Sequence, residues 1–338
     1  MIRVGMVGLG LISAAHGHGY ELEKDAVEVA AVCDKADDLA EVRAKVIGCK
    51  AYVDYDAFLA DPTVDVVDLM VPHHLHYEMA RAALEAGKHV LVEKPLANSS
   101  AEASDLLELA KSKGLVISVA ENTRFVAAYL ALQKILEDGR IGDVRLIRTF
   151  IAGSEVVRLS DPTLWKGSRT GAGGGTIMDA GAHSFYLLRW LFGDIKKVRA
   201  IQYKLVPESE VEDHAIVSGT LDTGAIFSSE FTFTAEIPWT ERLEVYGSTG
   251  SVIIDQLADP PAVWYRDEWD AKGTPLEGVG SDVFGWKLHS IADGVRDFAR
   301  AIAEKRPPLV EAEVGVFALR VIERAYESVA QDGKELEV

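Results

Sequence analysis

The sequence predicts a two-domain α/β protein: an N-terminal parallel sheet of Rossmann type with helices on both faces, then an α+β half with a large, mostly antiparallel open sheet. Three observations predict it. Short Val-rich runs alternate with amphipathic stretches through the first third, the texture changes near residue 122, and alternating polar–apolar patterns crowd between 196 and 256. The expected division is 1–122 and 123–338, and 338 residues suffice for two cores.

The strands of the first domain are expected at 2–8, 27–34, 64–71, 89–93 and 115–120, with helices at 11–22, 36–47, 74–86 and 99–113. Leu106, Leu109 and Ala110 form a helical stripe in the last of these, and Ser99 or Ser100 before Glu102 is a helix start of capping-box type. Beyond 122, a helix over 124–138 leads into the strand DVRLIRTFIAG. A loop rich in Gly, Ser and Thr reaches 175, and the helix TIMDAGAHSFYLLRWL follows. Strands are then expected in KKVRAIQYKL, EDHAIVSGTLDT, GAIFSSEFTFTAE, ERLEVYG and GSVIIDQ. Asp222-Thr223-Gly224 and Ser248-Thr249-Gly250 are hairpin turns. Two helices, about 285–304 and 311–331, close the chain around Pro307-Pro308.

Composition excludes several function classes. The formal net charge of −18 argues against a nucleic-acid partner, because phosphate binding draws on clustered Lys and Arg. Cys33 and Cys49 are the only cysteines, so no disulfide framework is expected and a reducing compartment fits. No run approaches the ~20 apolar residues of a membrane span. Gly5, Gly8 and Gly10 interrupt the apolar N-terminus, unlike a signal peptide. The expectation is a soluble, cytoplasmic protein with no membrane partner.

Gly8-Leu9-Gly10-Leu11-Ile12-Ser13 lies between the first strand and the first helix. A dinucleotide-binding turn needs glycine to bend sharply and again to let the backbone approach a pyrophosphate, while the helix start offers N–H groups to the phosphates. Ser13 stands where a third glycine is usual. Asp34 ends the second strand, where an acid accepts from a ribose 2′-OH and repels a 2′-phosphate. Lys35 beside it softens that repulsion. NAD is favoured, with NADP possible.

Lys94 follows a strand ending Leu91-Val92-Glu93, and Pro95 stops that strand, so Lys94 stands at the carboxyl edge where open α/β sheets bind ligands. Standing alone it is more often a surface lysine. Asp179 and His183 are four apart on one helical face. Taken alone they read as an acid in a first helical turn and a core histidine. The glycines at 173–175 are expected to let backbone and ligand pass close together.

Taken in order, the glycine turn, Glu93-Lys94-Pro95 and GGG followed by Asp179 and His183 resemble the Gfo/Idh/MocA family, that is, glucose–fructose oxidoreductase, inositol dehydrogenase and relatives. The resemblance runs end to end and includes Val71-Pro72-His73-His74-Leu75-His76, Glu121-Asn122-Thr123-Arg124-Phe125, Trp165 and the strand pair around Tyr246–Gly250. Ser13, Val71 and His73 depart from the commoner pattern. The resemblance implies NAD(P)-dependent hydride transfer to or from a secondary alcohol of a sugar, cyclitol or related polyol. It implies Lys94, Asp179 and His183 as the catalytic set, with His183 the general base and Lys94 the partner of the developing alkoxide. Gly8, Gly10, Leu11, Ile12, Asp34, Lys35, Val71, Pro72, His73, His76, Glu93, Lys94 and Asn122 are implied cofactor contacts. Arg124, Trp165 and Arg169 are candidate substrate contacts, and no metal is expected despite the histidines at 73, 74 and 76. A redox-neutral glycosidase with bound NAD and a non-catalytic relative remain alternatives. A homodimer or homotetramer is expected to cover an apolar sheet face containing Ile226, Phe231 and Phe233.

Overall fold

The computed structural model describes residues 1–267 and 269–338, apart from the side chains at 283 and 284. The chain forms two compact units, one of residues 1–125 and 287–316, the other of 126–286 and 317–338. Residues 287–316, placed after the boundary at 122 by the sequence, thus pack with the first unit.

In the first unit the elements follow as β1 (Ile2–Val7), α1 (Ser13–Leu22), β2 (Val27–Cys33), α2 (Asp37–Ile47), β3 (Lys50–Tyr52), α3 (Tyr55–Leu59), β4 (Val66–Leu69), α4 (His76–Glu85), β5 (His89–Glu93), α5 (Ser100–Lys113) and β6 (Ile117–Ala120). β3 and α3, of three and five residues, are too short to carry a period and escape the sequence reading. All six strands are parallel in the order β3-β2-β1-β4-β5-β6, the doubly wound order whose switch point lies between β1 and β4. Ser99 caps α5 by accepting the N–H of Glu102 at 3.2 Å, and the Glu102 carboxylate reaches back to the N–H of Asn98 at 3.1 Å. That is the predicted box, with the return bond one residue earlier.

The second unit begins with α6 (Ala127–Glu137), β7 (Val144–Ala152), α7 (Val156–Ser160), α8 (Arg169–Ala172) and α9 (Thr176–Phe192). It continues with β8 (Ile195–Tyr203), β9 (His214–Leu221), β10 (Ile226–Thr232), β11 (Thr240–Gly247), β12 (Ser251–Asp255), β13 (Ala262–Tyr265) and β14 (Thr274–Pro275). The chain then forms α10 (Val283–Glu304), which belongs to the first unit from residue 287 on, α11 (Ala312–Ala330), which returns to the second after 316, and β15 (Leu336–Glu337). The sheet order is β14-β13-β12-β11-β7-β10-β9-β8-β15, and β7–β10 is its parallel pair. Gly224, at φ +88°, turns the β9–β10 hairpin as Asp222-Thr223-Gly224 predicts.

Phe231 and Phe233 are buried within the chain, so they do not form the apolar outer face expected of them. Phe231 meets Phe185 of α9 edge-on, and Phe233 packs on Trp239. Strand alternation decides this: odd positions of β10 face α9, and even ones face away. The outward face instead carries the cross-strand pair Ile201 (62% exposed) and Ile216 (42%) with Tyr203 (63%), and Ile226 (55%) farther along, opposite Thr220. Beside it lies a ladder of ion pairs, Arg148 with Glu230 and Glu244 and Arg242 with Glu244 and Asp255.

The returning residues of α10 complete the first core: Val295, Phe298 and Ala299 join Val4, Met6, Leu9 and Tyr20. Gly19 of α1 makes the close approach possible, since a Cβ there would lie 2.8 Å from the Ala292 carbonyl oxygen. Glu23 at the end of α1 accepts from Arg296 and Arg300 of α10.

Candidate active site

Because the strands of the first unit run parallel, their carboxyl ends share one edge, and that edge gathers the predicted residues. Gly8 to Ile12 follow β1, Asp34 and Lys35 follow β2, Val71, Pro72 and His73 follow β4, Glu93 and Lys94 end β5, and Asn122 and Arg124 follow β6. Gly8 sits at φ +84°, and a Cβ there would lie 2.3 Å from the Met70 carbonyl oxygen, so no other residue fits. Gly10 differs: nothing lies within 4 Å of its would-be Cβ. The N–H groups of Gly10, Leu11 and Ile12 find no acceptor among the described residues, and Leu11 is 84% exposed. Ser13 returns its hydroxyl to the Gly10 carbonyl at 2.7 Å, so the residue in place of the third glycine tightens the turn.

Open backbone donors at the start of α1 fit a dinucleotide's phosphates. Asp34 accepts from Leu9 N at 2.8 Å and Ala36 N at 2.9 Å, which locks its carboxylate at the end of β2 beside exposed Lys35. Asn122 donates to Ser290 Oγ at 2.8 Å.

A buried polar cluster that sequence reasoning missed lies under this edge. His16 of α1, fully buried, places Nδ1 2.9 Å from Asp68 Oδ2 and Nε2 3.0 Å from Glu93 Oε1, and Tyr20 donates to the same Asp68 oxygen at 3.0 Å. Burial works against a charged imidazole, but Asp68 and then Glu93 outweigh it and push its pKa up to about 10. Burial likewise opposes a charged Glu93, yet His16 holds that carboxyl below its usual range. Glu93 Oε2 accepts the N–H of Lys94 at 3.1 Å, so the cluster anchors the backbone that carries Lys94. His76, assigned to the cofactor by resemblance, has both ring nitrogens on backbone carbonyls, Pro95 O at 2.6 Å and Val71 O at 2.8 Å. It ties together the chain segments leaving β4 and β5. Burial lowers its pKa, with the two carbonyls pulling the other way. No group of His, Cys, Asp or Glu among the described residues is arranged to hold a metal ion.

In the second unit, α9 carries Asp179 and His183 one turn apart. Its opposite side is fastened to the sheet by a buried hydroxyl chain, with Ser184 Oγ 2.6 Å from Thr149 of β7 and 2.9 Å from Ser229 of β10. The start of α9 is closed by Glu212. Its carboxylate accepts from Gly175 N at 3.1 Å, Ile177 N at 2.9 Å and the Tyr326 hydroxyl at 2.8 Å, while its carbonyl accepts Thr176 N at 3.1 Å. Burial raises the Glu212 pKa against these donors. Two of the three glycines expected to admit a ligand also meet the chain itself. A Cβ on Gly175 would fall 1.7 Å from the Glu212 carbonyl oxygen, and one on Gly174 would fall 2.0 Å from the Tyr326 hydroxyl. They make room for the chain's own cap. Gly181 spares the buried Phe185 ring, 2.9 Å from a Cβ there.

Asp179 Oδ2 lies 2.9 Å from Lys166 Nζ, a partner that sequence reasoning did not name. Trp165 shares with Lys166 the 3₁₀ turn Trp165–Gly167. Exposed Arg169 begins α8, its backbone N–H on the Glu210 carboxylate and its guanidinium on the Glu210 carbonyl at 3.1 Å.

Such a sheet edge, with open backbone donors after β1 and an acid after β2, is that of the dinucleotide-dependent oxidoreductases. Residues 2–121 match the oxidoreductase family with an NAD-binding Rossmann fold, and residues 129–253 match the GFO/IDH/MocA C-terminal domain. The chain is 32% identical over 265 residues to a dTDP-3,4-didehydro-2,6-dideoxy-alpha-D-glucose 3-reductase of Streptomyces violaceoruber, covering 77% of this chain and 75% of the relative. It is 27% identical to a myo-inositol 2-dehydrogenase of Thermotoga maritima, covering 94% and 93%. The structure of a levoglucosan dehydrogenase with NADH and levoglucosan superimposes with a TM-score of 0.88 at 25% identity, over 100% of this chain and 99% of that one. The chain belongs to the Gfo/Idh/MocA family of NAD(P)-dependent oxidoreductases.

Proposed function

We propose that this protein oxidises a secondary alcohol of a sugar, cyclitol or related neutral polyol, or reduces the corresponding ketone, with NAD as the favoured cofactor. The observation that carries the reading is the open glycine turn with Asp34 locked at the end of β2, in a chain whose relatives are named for sugars and an inositol. Gly10, Leu11 and Ile12 would hold the phosphates by backbone N–H, and Asp34 the adenosine ribose. When bound, the nicotinamide takes or gives the hydride. His183 removes the hydroxyl proton in the oxidative direction as the general base. Lys94 supplies a cation for the developing alkoxide, and Asp179 orients the substrate.

A second part of the proposal concerns assembly: a homodimer or homotetramer in the cytoplasm, built on the outward sheet face. The ladder there pairs its two arginines with three acids, and the exposed Ile201, Ile216 and Tyr203, with Ile226 farther along the same face, give a second copy apolar area to cover.

The deciding experiment incubates the protein with NAD and a panel of cyclitols, hexoses, anhydrosugars and glycosides, following NADH formation and glycoside cleavage together. The expected result is NADH formation on at least one neutral polyol, with His183→Ala lowering kcat by roughly 10²-fold. Glycoside cleavage without net NADH would replace the dehydrogenase reading by the redox-neutral one. No turnover at all would leave the family fold without the proposed activity. Light scattering at micromolar concentration checks the assembly, and a monomer mass would refute it.

A further inference from the structure

We propose that Lys166 is the positioning residue for Asp179, holding its carboxylate in the orientation that catalysis uses; this rests on the dehydrogenase reading above. The Lys166 ammonium, 17% exposed, bridges two carboxylates that are each 13% exposed, Asp179 at 2.9 Å and Glu155 at 3.2 Å. It also lies 5.2 Å from the centre of the Phe233 ring. A cation shared by two acids over an aromatic face is restrained on three sides. Arg158 lies on the outer side of the cluster, 3.2 Å from Glu155. His183 follows Asp179 by one turn, and Glu212 closes the helix start below it.

The backbone around the lysine is built to hold it. Glu155 N donates to the Phe233 carbonyl at 2.8 Å, placing the acid at the end of β10. Gly167 packs against α7 so tightly that a Cβ would lie 2.2 Å from the Leu159 carbonyl oxygen, and its own carbonyl accepts Glu210 N at 2.8 Å. Gly171 of α8 lies against the Trp165 backbone, 2.7 Å from a would-be Cβ. A three-residue turn clamped from both ends leaves the Lys166 side chain few alternatives. An exposed surface pair pays the rotamer entropy of two long side chains, and this arrangement has already limited that loss. Lys166 touches no reacting atom by this assignment. It acts through Asp179.

The test compares Lys166→Met, which keeps the stem over Phe233 and removes the charge, with Lys166→Arg, which keeps the charge. With the best polyol, Lys166→Met should lose 10- to 100-fold in kcat with KM within threefold, and Lys166→Arg should recover to within about fivefold of wild type. NADH affinity should be unchanged in both. Equal losses in the two variants, tracking their melting temperatures, would indicate a merely structural lysine and overturn the proposal, as would normal turnover by Lys166→Met. A thermal cycle of Lys166→Met, Asp179→Asn and the double variant tests the pair without any substrate. The double variant should melt no lower than the worse single variant, and additive losses would overturn the pairing. Absence of polyol oxidation by the wild type counts against the dehydrogenase reading, while the thermal cycle still decides whether Lys166 holds Asp179.

Discussion

Two helices in this protein begin after glycine-rich loops, and they use the glycines in opposite ways. Before α1, Gly10 borders open space, and three consecutive N–H groups find no acceptor among the described residues. Before α9, Gly174 and Gly175 are pressed against Tyr326 and Glu212, and the Glu212 carboxylate already takes the helix's donors. One helix start is open to an external anion, and the other is closed by the chain's own carboxyl group. A glycine cluster ahead of a helix therefore says that something approaches closely. It does not say whether that something is ligand or protein.

The contrast can be broken by substitution. Gly175→Ala should have the largest effect, because its Cβ would collide with backbone rather than a flexible side chain. A loss of roughly 3 kcal/mol or more, or failure to fold, is expected in urea unfolding. A mild effect would mean that the cap yields. Glu212→Gln should cost about 1–3 kcal/mol by weakening a buried acceptor of several donors, and a neutral result would show that the Tyr326 and backbone bonds are dispensable. Gly10→Ala is the mirror experiment. Stability should stay within about 0.5 kcal/mol, while NADH binding weakens about tenfold, equivalent to ~1.4 kcal/mol. Unaltered NADH affinity would remove the turn from the cofactor site.

His16 sharpens the account through its pH dependence. Its pKa rises from the ~6.5 of an unfolded chain to about 10 in the fold. Its contribution to stability is therefore complete below pH 6.5 and is lost as pH climbs through 10. Nitrogen-15 spectra should show its imidazole carrying both N–H protons at pH 8.5, after exposed histidines have lost one. A His16 titration near neutrality would contradict the buried cluster.

Much of the fold was legible because its signals are local. The Val-rich strands β1, β2, β4, β5 and β6 are each short, largely apolar runs, and Ser99 with Glu102 marks a helix start within four residues. In the candidate site, Gly8, Asp34 and Lys94 were legible because parallel strands end at one edge, so sequence order becomes spatial proximity. His16 was not, since its partners Asp68 and Glu93 lie 52 and 77 residues away. Tyr326 and Glu212 are separated by 114 residues. Lys166 looked like any loop lysine, because nothing near it in sequence announces Asp179. The apolar sheet face was misread in detail for a related reason. Ile226 and Phe231 differ in parity in β10 and so lie on opposite faces, and the placement of α9 says which parity is inside.

The discontinuity of the first unit has a consequence for how the protein is made. Its core includes Val295, Phe298 and Ala299, so a ribosome that has released the first 125 residues has not yet supplied what covers the α1 face. Between those two halves the whole of 126–286 must be synthesised. This leaves the core of the nascent first unit partly uncovered until α10 emerges. It also makes the N-terminal third a poor fragment to express alone, whatever its sheet suggests.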